Sequence, residues 1–302
     1  MRIGLQVAAS SDPHDVVPRI EQAEADGFST VWTAGRFDAL TQLALAASRT
    51  EQIELGTAVV VTYQRHPTAL AQQALTVQAA CAGRHVLGLG VGHRFSVEGM
   101  QGFPWRPIRH MREYLGCLVP LLAGEAVTFG GDEFSLTGYR SPLGGAVEAP
   151  PVLIAALGPQ MLRLAGQAAD GTIIFLAGPR YLREVAVPTI VEAAASAGRP
   201  APRIVAGVPV CATKRDPAIV RDAIAPSLAG YELRPSYRRI LDLDRSPRTA
   251  DVAMVGSADA VREALTAYAA LGVTDFLAST AGEPDEQQKT YELLAEVARF
   301  GN

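Results

Sequence analysis

The side chains that could do chemistry in this sequence are few, and their neighbours say more than their number. His93 directly follows the run Gly88-Leu89-Gly90-Val91-Gly92. An imidazole is the group that most readily gives or takes a proton near neutral pH, although a solitary histidine is more often structural. Two Gly-Pro pairs, Gly158-Pro159 and Gly178-Pro179, each stand between an apolar run and a helical pattern. Proline suits the first helical turn and glycine permits close approach, so each pair either opens a helix N-terminus to a phosphate or simply makes a tight turn. The glycines at 88, 90 and 92 lack dinucleotide-fingerprint spacing. They leave one strand face bare, either for a flat ring or for a layer of small residues inside a core. His66, before Pro67, reads as a capping or positioning residue. His110, in RHMREYL, reads as part of a solvated helix face with Arg109, Arg112 and Glu113. No Ser-His-Asp order, nucleophile elbow or HExxH pattern occurs. Cys81, Cys117 and Cys211 are isolated and read as buried thiols, and no metal is expected.

These residues need elements to place them. Short apolar, β-branched runs begin near Arg2, Ser29, Ile53, His85, Val152, Gly171, Arg203 and Thr274. Their near-continuous hydrophobicity suits parallel strands covered on both faces. Helical periods separate them: Val16, Val17, Ile20 and Ala23 before Gly27; Leu40, Leu43, Ala44 and Ala47; Leu70, Ala74, Val77 and Cys81; Met111, Tyr114, Leu115, Leu118 and Leu122. Eight strand–helix units in one domain of residues 1–302 point to an α/β fold, a (β/α)8 TIM barrel, with a doubly wound sheet as the alternative. Two intervals exceed what a unit needs, about 123–151 (Gly/Pro-rich, suited to a short hairpin) and about 229–251 (polar, Arg-rich). Long intervals of this kind serve as lids or binding elements. In a barrel the site lies where the strands end, which selects Val61–Pro67, Gly90–Arg94, Ala155–Pro159 and Thr33–Asp38.

Composition excludes other classes. The chain has 302 residues, 27 Lys+Arg against 31 Asp+Glu, a net charge of -4 and 48% hydrophobic residues. Without a basic excess, nucleic acid is not an expected partner. No apolar run approaches the roughly 20 residues of a membrane span, and the N-terminal apolar run is too short for a signal-peptide core, so a cytoplasmic location and no membrane partner are expected.

Particular segments add a family resemblance. GFSTVW (27–32), IELGTAVV (53–60), RHPTALAQQALTVQ (65–78), HVLGLGVGHR (85–94) and AALGPQMLRLAGQAADGT (155–172) resemble the bacterial luciferase-like superfamily over essentially the whole chain. RHPTALAQQALTVQAACAGR, and HRFSVEGMQGF joined to RHMREYL, resemble an actinobacterial subfamily that uses the deazaflavin coenzyme F420. The resemblance implies a barrel holding F420, or alternatively FMN, at the strand C-termini, and a homodimer. It implies a non-prolyl cis peptide around Ala58, Val59 and Val60 beneath the ring, and a phosphate turn at Ala156, Leu157, Gly158 and Pro159. Thr57, Thr62 and Gly92 complete the implied cofactor-binding set. Where several F420-dependent dehydrogenases carry an Asp-His pair after strand 2, this chain has Gly35-Arg36; where they carry glutamate after strand 4, it has His93. Those departures argue against alcohol oxidation. The resulting expectation is an F420-dependent oxidoreductase passing hydride to a C=C or C=N bond of a small molecule, with His93 supplying the proton and Arg36, always charged, binding an anionic group. Arg234, Arg238, Arg239, Arg245 and Arg248 could meet the anionic tail of F420 or form a solvated surface. The competing expectations are an FMN-dependent luciferase-like monooxygenase and a non-catalytic ligand-binding barrel.

Overall fold

The structure, a computed structural model, describes residues 1–8, 15–34 and 38–301. The eight apolar runs all become strands: β1 (Arg2–Ala8), β2 (Thr30–Ala34), β3 (Glu54–Thr57), β4 (His85–Gly90), β5 (Val152–Ala155), β6 (Gly171–Phe175), β7 (Arg203–Ala212) and β8 (Asp275–Thr280). Each pairs in parallel with the next, and β8 returns to β1 through Arg2↔Asp275 to Leu5↔Ala278, closing the barrel.

The covering helices are α1 (Val16–Ala25), α2 (Ala39–Ala47), α3 (Pro67–Ala80), α4 (Pro107–Leu122), α5 (Pro159–Ala168), α6 (Val187–Ser196), α7 (Pro217–Glu232), α8 (Pro235–Asp244), α9 (Ala258–Ala270) and α10 (Pro284–Phe300). Proline opens α3, α4, α5, α7, α8 and α10, where its missing N–H costs no hydrogen bond. Gly27 ends α1 at φ +85°, as its C-capping position requires. Cys81, Cys117 and Cys211 are buried free thiols. Among the described residues no helix is long and apolar enough to cross a membrane.

Both long intervals contain structure. Within 123–151, Val127–Gly130 and Ser135–Tyr139 form an antiparallel hairpin. Its tip is fixed to α4 by the Glu113 carboxylate, which accepts the backbone N–H groups of Asp132, Glu133 and Phe134. The 229–251 interval is largely helical: it holds the end of α7, all of α8 and the turn Thr249–Val252, and it leads into Met254–Gly256, which extends the sheet beside β7.

The barrel lumen is solid. Trp32, Val86, Leu153, Ile173, Val205 and Leu277 fill it. Trp32 fits because its flanking strands carry Gly4 and Gly56, where a Cβ would lie 2.5 Å from the indole. Beneath it, at the strand N-termini, Asp275 is held by Arg2 at 2.7 Å and Arg203 at 2.6 Å, while Glu54 takes the same two guanidinium groups at 2.9 and 2.7 Å. This charged floor links β1, β3, β7 and β8. Nearly every polar atom in it is paired, the condition under which buried charge is tolerated.

His85 is fully enclosed at the start of β4. Its Nδ1 lies 2.7 Å from the Leu55 carbonyl oxygen, while Nε2 is buried without a partner. That pattern fits a neutral ring donating from Nδ1, and burial pushes its pKa down to about 4. The unfolded chain binds a proton near the ordinary value of about 6.5, so the unfolded state holds more protons between the two values. Stability is therefore complete above that window and falls as pH drops through it. Urea unfolding should lose about 2 kcal/mol from this group between about pH 7 and about pH 5. His85→Asn should flatten that dependence whatever its absolute stability. An unchanged slope would refute the assignment.

Candidate functional site

The mouth of the barrel is built on an irregularity at the end of β3. The Ala58–Val59 peptide is cis, at the place the resemblance implied. The chain then resumes at Val60–Val61, paired with Leu89 and Gly90 of β4. Glycines make the bulge possible: a Cβ on Gly88 would stand 1.9 Å from the Thr57 carbonyl oxygen, and one on Gly90 2.5 Å from Val59. Of the two uses foreseen for the bare face of β4, interior packing is the one realised, with the chain's own bulge as the filling. Ala58 and Val59 are half-buried and pack on the lumen residues, giving the mouth an apolar floor. Thr57 is wholly buried below it, its hydroxyl donating to the Gly88 carbonyl oxygen and accepting the Gly88 N–H, both at 2.8 Å. Val60 is buried, and Gly92 takes φ +70° just before His93.

Thr62 is also buried. Its hydroxyl donates to the Gly90 carbonyl oxygen at 3.3 Å and lies 3.1 Å from Nε2 of His110. His110 thus departs from the solvated position expected of it. It is buried, stacked on Tyr63 with ring centroids 3.6 Å apart, and reaches Glu133 of the hairpin at 3.4 Å. Burial lowers its pKa against the pull of Glu133. Charged neighbours at 109, 112 and 113 suggested solvent, yet His110 shares a helical face with Tyr114, Cys117 and Leu121, and that spacing was the usable signal. His66 caps α3 as expected, its Nδ1 3.3 Å from the Thr68 N–H.

His93 stands half-buried beyond the end of β4. Burial, and secondarily the charge of Arg234, lower its pKa to about 4. Above it lies Tyr237 of α8, with centroids 6.2 Å apart, and then Tyr231 of α7, 4.9 Å from Tyr237. Phe175, the last residue of β6, lies 5.9 Å from Tyr231. Arg234, at the α7–α8 junction, sits 4.9 Å over the Tyr231 ring. This aromatic wall had no local signal in the sequence, because three separate segments make it.

The two Gly-Pro turns behave differently. At Gly178-Pro179 the helix N-terminus is already occupied: Asp244 accepts the N–H groups of Gly178 at 2.7 Å and Tyr181 at 2.8 Å. At Gly158-Pro159 no side chain caps α5, and a Cβ on Gly158 would meet nothing within 4 Å. The turn is held from behind by the Tyr181 hydroxyl, which donates to the Leu157 carbonyl oxygen at 2.5 Å, and by buried Ala156. An N-terminus with free N–H groups is an anion site, and this one opens at the strand C-termini.

Arg36 lies outside the described residues. Of the arginines in the second interval, Arg238 pairs with Asp242, and Arg248 with Asp222 and Asp251, so both are already neutralised. A cleft of about 450 Å³ is lined by the Gly178-Pro179 turn with Arg183, Arg221, Asp244 and Tyr268. It contains no histidine or cysteine. Among the described residues no cluster of His, Cys, Asp or Glu could hold a metal ion.

Comparison with known proteins bears on the family and the fold. A family model described as luciferase-like monooxygenase matches residues 1–275. A Mycobacterium tuberculosis protein named as a coenzyme F420-dependent oxidoreductase is 31% identical over 95% of this chain and 96% of its own. Among solved structures, an F420-dependent secondary alcohol dehydrogenase in complex with an F420-acetone adduct superposes with a TM-score of 0.81 at 20% identity, covering 98% of this chain and 97% of that one. The FMN-bound oxygenating constituent of 3,6-diketocamphane monooxygenase from Pseudomonas putida gives 0.74 at 20% identity over 99% and 98%; at these identities both show the fold. With a family match over residues 1–275 of its 302 and a closed eight-stranded barrel, the chain belongs to the luciferase-like monooxygenase family.

Proposed function

We propose that this protein is an F420-dependent reductase acting on a C=C or C=N bond of a small molecule. The observation that carries the reading is the pairing, at one barrel mouth, of an uncapped α5 N-terminus with a half-buried histidine. The near-full-length similarity to a protein named for F420 supports the choice of cofactor.

The residues present fit a deazaflavin. Ala58 and Val59 offer an apolar platform, and the space before Gly158 would receive a phosphate. When bound, the reduced deazaflavin supplies a hydride. The chain does the rest: the bulge orients a ring against the substrate, the aromatic wall of Phe175, Tyr231 and Tyr237 keeps water out, and the His93 ring delivers a proton to the atom that becomes electron-rich. One hydride and one proton complete a two-electron reduction. Positioning of this kind, with the cofactor carrying the electronic work, is the usual division of labour.

Parallel calorimetric titrations with F420 and with FMN test the reading. Saturable binding of F420, tighter than FMN by at least tenfold, is expected. Preference for FMN would replace it with the monooxygenase reading, and binding of neither would replace it with a non-catalytic barrel.

A further inference from the structure

Among the described residues, Arg234 has an aromatic wall beside it but no counter-ion. Arg234 is half-buried and, among the described residues, makes no ion pair; its one close partner is the face of Tyr231 at 4.9 Å. Exposed arginines need no partner, but a half-buried one over an aromatic plane has given up part of its hydration for a weak contact. From it a chain of ring contacts runs through Tyr231 to Phe175 on one side and through buried Tyr237 to His93 on the other. Two neighbouring arginines are already paired: Arg94 holds Glu98 at 2.6 Å, and Arg238 holds Asp242 at 3.0 Å.

We propose that Arg234 is the anion receptor of this mouth and that the substrate is an unsaturated carboxylate, its carboxylate on Arg234 and its apolar body along Tyr231 and Phe175. A single guanidinium matches the two oxygens of one carboxylate. The half-buried rings of Tyr231 and Phe175 beside Arg234 suit an apolar, conjugated body, which packs edge-on or offset against aromatic rings. The arrangement has a consequence for His93. Facing it are Arg234 and Tyr237 of the α7–α8 region and, on its own element, Arg94 already paired with Glu98; Arg234 is the charge that opposes its protonation. A bound carboxylate cancels that charge, so the substrate itself favours the protonated ring it needs.

This inference deepens the reductase reading but is tested without cofactor. Cinnamate and the neutral cinnamamide are titrated into the purified protein, while the ring signals of His93, assigned with His93→Gln, are followed by NMR across pH. Cinnamate is expected to bind at least tenfold tighter than cinnamamide and to move the His93 titration to higher pH, with cinnamamide leaving it in place. Arg234→Gln should abolish both the preference and the shift, while Arg234→Lys keeps part of the preference. Inorganic phosphate at the same concentration should not displace cinnamate. Equal affinity for the two probes, no saturable cinnamate binding, or a preference that survives Arg234→Gln overturns the proposal. Carboxylate preference without F420 binding would instead sink the reductase reading and leave this one standing.

Discussion

His93→Gln should lower kcat by roughly 10²–10⁴-fold, the range that a positioned general acid contributes, and leave KM within about threefold. Glutamine keeps a hydrogen-bonding side chain of similar reach but cannot deliver a proton. The pH dependence provides the sharper check. Burial and Arg234 hold the free-enzyme pKa of His93 at about 4, so the protonated fraction falls as pH rises above that value. With His93 as the acid, kcat/KM, which reports the free enzyme, should decline about tenfold per pH unit above the break. Its kcat should break at higher pH, because substrate is then in place. Single-turnover oxidation of reduced cofactor in wild type and variant measures both. Full turnover in His93→Gln with an unaltered profile would remove the proposed acid.

Gly88→Ala should be the most damaging single methyl group in the molecule's working end. Its Cβ would lie 1.9 Å from a backbone oxygen, that of Thr57, and 2.6 Å from Ile173 Cδ1. Backbone cannot rotate aside as a flexible side chain does, so the cost belongs at or above the upper end of the roughly 1–3 kcal/mol typical of overpacking. The relief open to the protein is to move the bulge, and with it the Ala58–Val59 floor. Loss of cofactor affinity should therefore accompany the fall in stability. Gly158→Ala is the matching contrast. Its φ of -99° suits any residue and its Cβ meets nothing, so stability should stay within about 0.5 kcal/mol, while a methyl in the anion approach weakens cofactor binding. Chemical denaturation and cofactor titration of both variants separate the two effects. A Gly88→Ala protein as stable as wild type would show that the bulge is not wedged against β4.

Much of this architecture was legible because parallel barrel strands are buried on both faces. The eight strands follow from apolar runs, most of them near-continuous, and the prolines at 67, 107, 159, 217, 235 and 284 mark helix starts for a local steric reason. The hairpin in 123–151 was equally readable from its glycines. His93 and the Gly158 turn could be nominated from position alone, since both follow a strand. What sequence could not supply was occupancy. Gly178-Pro179 looks like Gly158-Pro159 until Asp244, 66 residues away, is found on it. Arg234 looks like its neighbours Arg238 and Arg248 until their carboxylates are located. The wall joining Phe175, Tyr231 and Tyr237 to His93 depends on contacts between segments that have no common period. His110 is the exception: its burial followed from helical spacing with Tyr114, and the charges beside it were given too much weight.

The placement of the two tryptophans has an optical consequence. Trp32 is sealed in the lumen, its Nε1 without a partner and the Arg203 guanidinium 5.6 Å from its ring. Trp105 is half-buried at the rim, stacked 5.9 Å from Tyr63. The chain holds no others. Its intrinsic emission is therefore the sum of a shielded, blue-shifted source at one end and a quencher-accessible source at the other. Iodide should silence the rim alone, and only opening of the barrel should redden what remains. The molecule thus carries separate, label-free signals for a change at its mouth and for the loss of its core.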